Sequence, residues 1–334
     1  MPDLPIKREP KYWWVNQNQT FKQEFEGGYL WSPRRSKGDK FNPFYENMRE
    51  VAPGDYVFSF VDQKLQAISV VLYCAAPSPK PEEFGAIGAN WHPTLGWMVS
   101  VRYKLLKNAI SPAQHIEIIR PYLPAHRSPL QASGRGNQAY LFSIGKEMAE
   151  VLIGLIGKEA QEFVSHQDYQ LSKEEILVAD KNRVSEWENK EQEKIDSDPV
   201  IPATEKEYLR KSRIGQGLFR QRLMDFEKSC RITKVTNPEH LVGSHIRPWR
   251  ESDNKQRLDG ENGLLLTPTV DHLFDRGFIS FENNGSLIVS PVADKLSLDK
   301  MSIPDMGFNV GTFTALQKQY LDFHRDKILL KRTH

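Results

Sequence analysis

The sequence predicts an α+β protein with more than one domain. Three observations predict it. Short runs rich in aromatic and β-branched residues, parted by Gly, Pro and Asn clusters, fill the first part of the chain. A stretch follows that mixes both charges at helical spacing and carries few core residues. The last part then reads helix, strand, loop, strand, helix and hairpin. At 334 residues the chain is also long for one ordinary domain. The expected division is a β-rich domain over residues 1–157, a charged helical connector over 158–212 and a second compact domain over 213–334.

Charged residues make up 26% and the hydrophobic set 39%, a balance that can bury a core. The net charge of +2 is close to neutral, so a nucleic-acid surface would have to be a local basic patch. The two cysteines, Cys74 and Cys230, are too few for a disulfide framework or a four-cysteine zinc site and fit a reducing compartment. No apolar run approaches membrane-spanning length, and the start MPDLPIKREP does not read as a signal peptide. No membrane partner and a cytoplasmic address are therefore expected.

In the first domain YWWVNQ, GDYVFSFV, AISVVLYCAA and GWMVSVRYKLL read as strands. Pro53-Gly54-Asp55 supplies a turn just before Tyr56–Val61. Trp13 and Trp14 fall on opposite faces of the first strand, so one of them should be core. Met148 to Ile156 has the spacing of an amphipathic helix that closes the domain. From Lys158 to Arg213 the mixed charges suggest an exposed helical connector, broken at Asp198-Pro199.

In the second domain RIGQGLFRQRLMDFEKSC is helical, with Phe219, Leu223 and Phe226 on one face. Leu241 to Ile246 is a short strand carrying His245 near its end, and Gly263 to Leu266 is a second. Thr267 is a good N-cap and Pro268 fits the first helical position, while Gly277 stops that helix. FISFENNGSLIVSP is a hairpin turned at Asn283-Asn284-Gly285, and the tail from Phe313 to Arg332 is again helical. Asp271 and Asp275 stand at i and i+4, so both carboxylates share one helix face. Two such oxygen donors could hold a hard cation such as Mg²⁺. A histidine at a strand end facing them could take a proton from water.

The segment GSHIRPWRESDNKQRLDGENGLLLTPTVDHLFDRG resembles the HNH nuclease motif, the ββα-metal finger, and RIGQGLFR upstream and the hairpin downstream extend the match. The resemblance implies that His245 is the general base and that Asn262 ties the loop so that the histidine is oriented. It places Asp271 at the family's last named position, a metal ligand, and Asp275 at a position that some members use as a further ligand. Two departures stand out. Ser244, a weaker ligand, occupies a place where many members carry Asp or His, and Asp271 one where many carry His. An all-oxygen site favours Mg²⁺ or Mn²⁺ over Zn²⁺, and the third protein donor stays open. Arg247, Arg257 and Arg276 are candidate phosphate contacts.

The stretch YWWVNQNQTFKQEFEGGYLWSPRR, with MREVAPGDYVFSF and GWMVSVRY after it, resembles an EVE domain of the PUA-like superfamily. That resemblance implies a β-barrel with helices and a pocket that takes a flipped, modified base. On it, Asn16 and Ser32 would hydrogen-bond the base edge, and Trp31 and Trp91 would stack on the base or wall the pocket. Arg34, Arg35 and Lys37 could hold phosphates. Flipping costs a few kcal/mol, which stacking and edge bonds must offset.

Taken whole, the chain resembles an EVE–HNH modification-dependent restriction endonuclease, a defence enzyme against phage. The resemblance implies capture of 5-methylcytosine or 5-hydroxymethylcytosine in double-stranded DNA, followed by metal-dependent phosphodiester hydrolysis. One finger cuts one strand, so a homodimer is expected for a double-strand break. Two alternatives stay open. Ser244 favours a catalytically weak or inactive reader of modified nucleic acid. An HNH nuclease acting on unmodified DNA is the other.

Overall fold

The computed structural model describes residues 9–89, 91, 95–165, 186–304 and 307–331. The chain divides into two units, the second of them Val184–Lys331.

The first unit is built on strands β1 (Tyr12–Asn16), β2 (Tyr29–Pro33), β3 (Tyr56–Val61), β4 (Lys64–Val71), β5 (Ala76–Pro79), β6 (Leu95–Ile110) and β7 (Leu141–Ile144). They form one mixed sheet in the order β2-β6-β4-β3-β1-β7, with β5 also paired to β6. β1 and β3 run parallel and the other pairs antiparallel. Asp62 and Gln63 both adopt positive φ, 50° and 62°, in the two-residue turn that joins β3 to β4. The two end strands come back towards each other: the Trp31 N–H on β2 reaches the hydroxyl of Tyr140, next to β7, at 2.9 Å. The sheet is therefore a partly closed barrel, in keeping with the expected α+β class.

The barrel is filled by Trp14, Phe58, Phe60, Leu65 and Phe142, and the helix Lys146–Ile156 closes it with Met148, Ala149 and Leu152. Trp13 and Trp14 are both fully buried, not one of the two as strand alternation suggested. Both faces of β1 are covered, and each indole N–H has an internal acceptor: Asp55 Oδ2 for Trp13 and Asn16 Oδ1 for Trp14, each at 2.9 Å. Asp55 comes from the expected turn and also takes the Lys11 and Ala52 main-chain N–H groups.

The expected connector is shared out differently. Lys158–Ser165 is a helix with Ala160 buried, packed in the first unit's core. Residues 166–185 lie outside the described residues. After them a helix runs to Ser197, breaks at Asp198-Pro199 as expected, and resumes as Ala203–Arg213. Ile195 and Leu209 are buried against Trp249, and Trp187 is buried too. These residues are not an exposed connector. A sparse apolar stripe seats the helices, and the surrounding charges describe only their outer face.

The second unit starts its compact part with the helix Gly217–Phe226. Then come β8 (Val242–His245) antiparallel to β9 (Gly263–Leu266), the helix Pro268–Asp275, the hairpin β10 (Ile279–Phe281) with β11 (Leu287–Val289), and the helix Ala315–Lys327. The helix expected from Phe313 to Arg332 is shorter: Thr314 caps its start and it ends at Lys327, with residues 328–331 non-helical and Arg332 outside the described residues. Phe219, Leu223, Leu264, Leu266, Phe274 and Phe281 share the core. Phe226, expected on the same face as Phe219, is 47% exposed. It is the last helical residue, and the chain turns extended at Glu227 directly after it. The unit needs Gly215 beside β8: a Cβ there would sit 2.3 Å from the Gly243 carbonyl oxygen, and its φ is +67°.

Candidate active site and nucleic-acid cleft

In the first unit an open cleft of about 730 Å³ is walled by Trp31, Trp91, Phe41, Tyr45 and Tyr140, with Asn18 at its polar side. Trp31 and Trp91 stack with centroids 5.8 Å apart and planes 24° apart. Each indole lies over a glycine. A Cβ at Gly88 would sit 2.2 Å from the Trp91 ring, and one at Gly96 would sit 2.4 Å from the Trp31 ring. The structure thus brings Trp31 and Trp91 together in one cleft.

Asn16 also lines the cleft, but its amide is largely committed. Nδ2 donates to the Asn137 and Ala139 carbonyls at 2.6 and 2.8 Å, and Oδ1 accepts from Trp14. Its work is to hold the 137–139 loop, leaving one acceptor lone pair for anything else. Ser32 is fully buried with its hydroxyl on the Pro33 carbonyl, away from the cleft lining. Arg34 is buried too, its guanidinium 4.7 Å from the Trp97 ring, so the phosphate-contact expectation does not carry over to it. Arg35 stays half-buried over Phe41. Sequence reasoning missed Tyr140, Phe41 and the exposed Arg135, which lines an adjoining hollow of about 280 Å³. Tyr140 reaches the cleft, and Arg135 the hollow, from segments distant in sequence, and no spacing in the chain announces them.

In the second unit His245 ends β8 opposite Gly263 of β9. Its ring lies flat on Phe219, and a Cβ at Gly263 would press on Phe219 at 2.8 Å. Nε2 stands 3.0 Å from the Arg257 main-chain oxygen. A carbonyl only accepts, so Nε2 carries the hydrogen and Nδ1 keeps its lone pair. Burial of the imidazole, aided by the Arg257 charge, lowers its pKa to about 4 against the pull of that carbonyl. The ring is neutral at pH 7.

Asn262 is fully buried. Its Oδ1 accepts the Arg247 N–H at 2.8 Å, and Nδ2 points at the Arg247 and Gln256 carbonyls, each at 3.1 Å. Its own carbonyl takes the Ile246 N–H at 3.0 Å. One side chain thereby ties both ends of the β8–β9 loop, the loop that presents the Arg257 carbonyl to His245.

Ser244 and Asp271 are brought together, close enough for the serine hydroxyl to favour the ionised aspartate. Burial raises the Asp271 carboxyl, the serine opposes this and the Asp275 charge adds to it. Asp275 differs. Burial would raise it too, but Arg250 and Arg276 outweigh burial and hold it below its ordinary value. Arg250 is buried, with Nη1 3.3 Å from Asp275 and 3.4 Å from Glu188. Sequence reasoning missed Arg250, whose partners lie 25 and 62 residues away. Arg247 and Arg257 are spent internally. Arg247 Nε donates to the Glu251 carbonyl and its guanidinium lies 4.2 Å from Phe323. Buried Arg257 lies on Trp249 at 4.1 Å and bonds its carbonyl.

Residues 230–282 match the family described as HNH endonuclease. The second unit carries an HNH endonuclease domain. No curated protein matches the chain. Among solved structures, the Pho92 YTH domain in complex with m6A is similar at 12% identity over 47% of this chain and 92% of that one, with a TM-score of 0.31. The YTH domain of Zygosaccharomyces rouxii MRB1 in complex with N6-methyladenosine RNA gives 10%, 47%, 92% and 0.28. The N-terminal domain of Staphylothermus marinus McrB gives 14%, 46%, 99% and 0.30.

The donors of the HNH domain suit a hard divalent cation. Asp271, Asp275 and Ser244 offer only oxygen. Among the described residues no three His, Cys, Asp or Glu side chains converge on a point. The protein would thus give one or two carboxylates and leave the rest of the shell to waters and phosphate oxygens. That is how Mg²⁺ is usually held. Among the described residues no helix is long and apolar enough to cross a membrane.

Proposed function

We propose that the chain is a modification-dependent DNA endonuclease. Its first unit takes an extruded 5-methylcytosine or 5-hydroxymethylcytosine into the Trp31–Trp91 cleft, and its HNH domain hydrolyses the same double-stranded DNA. The observation that carries the nuclease half is the His245 imidazole, neutral and held by Phe219 and the Arg257 carbonyl with Nδ1 as its open acceptor.

In this reading Nδ1 takes the proton of the attacking water. Asn262 keeps the loop that sets the tautomer. Asp271, with the Ser244 hydroxyl beside it and Asp275 as a further donor, would hold Mg²⁺ or Mn²⁺. When bound, such an ion neutralises charge on the phosphorus centre and on the leaving 3′ oxygen. The products carry 5′-phosphate and 3′-hydroxyl ends. In the first unit the aromatic walls offset the cost of unstacking, and a methyl group adds apolar contact. Arg35, Arg135 and Arg276 are the cations for phosphates. A homodimer supplies the second cut.

The Asp275–Arg250 pair favours a second reading, a reader of modified nucleic acid whose finger cuts weakly or not at all. One assay separates the readings. The protein is incubated with unmodified, 5-methylcytosine, 5-hydroxymethylcytosine and N6-methyladenine duplexes, with Mg²⁺ or with chelator. Metal-dependent cutting confined to the modified cytosines supports the proposal. Cutting of every duplex supports an HNH nuclease on unmodified DNA, and cutting of the adenine duplex alone overturns the choice of base. Binding without cutting supports the second reading.

A further inference from the structure

Glu24 lies on the helix Phe21–Gly27 and is fully buried. Its Oε1 accepts the Trp31 main-chain N–H at 3.1 Å and the Tyr140 hydroxyl at 2.8 Å. Its Oε2 takes a hydrogen bond from Gln17 Nε2, which also donates to the Tyr103 hydroxyl at 2.9 Å. Trp31 belongs to β2, and Tyr140 immediately precedes β7. These are the two ends of the sheet. Trp31, Tyr140 and Thr20, which neighbours the carboxyl, all line the cleft. One carboxyl group therefore joins the two free edges of the barrel where the cleft opens.

Burial raises this carboxyl to about 8, against hydrogen bonds from Gln17, Tyr140, Trp31 and Thr20. It is thus mainly protonated at neutral pH. Gln17 Oε1 is buried without a hydrogen-bond partner. A half-turn of the Gln17 amide brings that oxygen to Glu24 Oε2, where a protonated carboxyl can donate to it. The titratable groups facing Glu24 are Tyr140 and Tyr103, with Tyr29 beyond Tyr103. Burial, with the Glu24 charge second, lifts both Tyr140 and Tyr103 well above the usual tyrosine range.

We propose that Glu24 is a positioning residue of the cleft: it closes the seam between β2 and β7 and sets the spacing of the Trp31 and Tyr140 walls. The inference rests on reading the cleft as the base pocket. Glu24 does not touch the base.

The test uses the full chain, its Glu24→Gln, Glu24→Ala and Tyr140→Phe variants, and chelator to stop cleavage. Affinity for 5-methylcytosine and unmodified duplexes is measured from pH 6 to 9, with tryptophan emission of the free protein over the same range. In the wild type the affinity ratio falls as pH rises through about 8, because a buried charge forms in the seam. Glu24→Gln keeps the neutral-pH ratio and removes that pH dependence. Glu24→Ala and Tyr140→Phe lose about tenfold of the ratio, as expected when buried hydrogen bonds are removed. If Glu24→Ala fails to fold, Tyr140→Phe, which keeps the ring, decides. An unchanged ratio in the folded variants overturns the proposal. If the wild type shows no preference for modified DNA, the base-pocket reading has failed, and the emission decides the seam. A midpoint near 8 that Glu24→Gln abolishes sustains it, and a flat emission in both overturns it.

Discussion

The His245 ring lies on the Phe219 ring with 3.8 Å between centroids and 8° between planes. Phe219 sits on the helix Gly217–Phe226 and His245 on β8, so the stack fixes the imidazole plane from outside the ββα segment. Replacing His245 by Ala should lower cleavage by about 10²- to 10⁴-fold, the usual share of a general base, and leave DNA affinity unchanged. Phe219→Leu should lose less, since it keeps apolar cover but gives up the flat support. Gel shift and cleavage on the same DNA measure both. Full cleavage by purified His245→Ala would remove the residue from the reaction.

The lowered pKa of His245 has a direct reading in pH. Between about 4 and 6.5 the folded protein binds fewer protons at this site than the unfolded chain. The contribution to stability is therefore complete above pH 6.5 and is lost as pH falls towards 4. Single-turnover cleavage should keep its base down to about pH 5, where an ordinary histidine would already be charged. An acid limb centred at 6.5 would contradict this.

Asn262→Ala should destabilise the second unit by about 2–3 kcal/mol, because the Arg247 N–H loses its acceptor and the Arg247 and Gln256 carbonyls each lose a donor. Cleavage should fall with it while affinity for DNA persists. Urea unfolding gives the first quantity, and the ring resonances of His245 report whether the imidazole has come loose.

Arg250→Met and Asp275→Asn should differ in kind. Arg250 is buried between two carboxylates, so its loss should lower Tm more than the loss of half-exposed Asp275 does. Asp275→Asn should raise the Mg²⁺ concentration needed for cleavage if the carboxylate shares the metal. An unchanged requirement would leave Asp275 as a counter-ion to Arg250 alone.

Much of the HNH domain could be read from the chain because its chemistry is local. His245, Asn262 and Asp271 sit on consecutive short elements whose caps and turns are explicit, from Thr267-Pro268 to Gly277. The strand order of the first unit was not legible in this way. Its pairings join distant segments, and a sheet closed on itself buries both faces of β1, so alternation misjudged Trp13 and Trp14. Side chains such as Asn16, Arg34 and Arg257 are engaged within the protein in ways the sequence did not show, for a common reason. A polar residue next to a motif invites a ligand role, but each of these is occupied by the protein's own carbonyls, indoles or carboxylates.

The stacked indoles of the cleft rest on two positions that have no side chain, Gly88 and Gly96. The floor under the aromatic pair is bare main chain, and at Gly96 the Ser32 carbonyl lies so close that even a methyl has nowhere to go. A single added carbon beneath either tryptophan would have to displace the ring or the main chain, so the placing of the aromatic pair depends on these two glycines as much as on the indoles themselves. Comparisons of such clefts by their aromatic residues alone would then overlook the two positions that seat them.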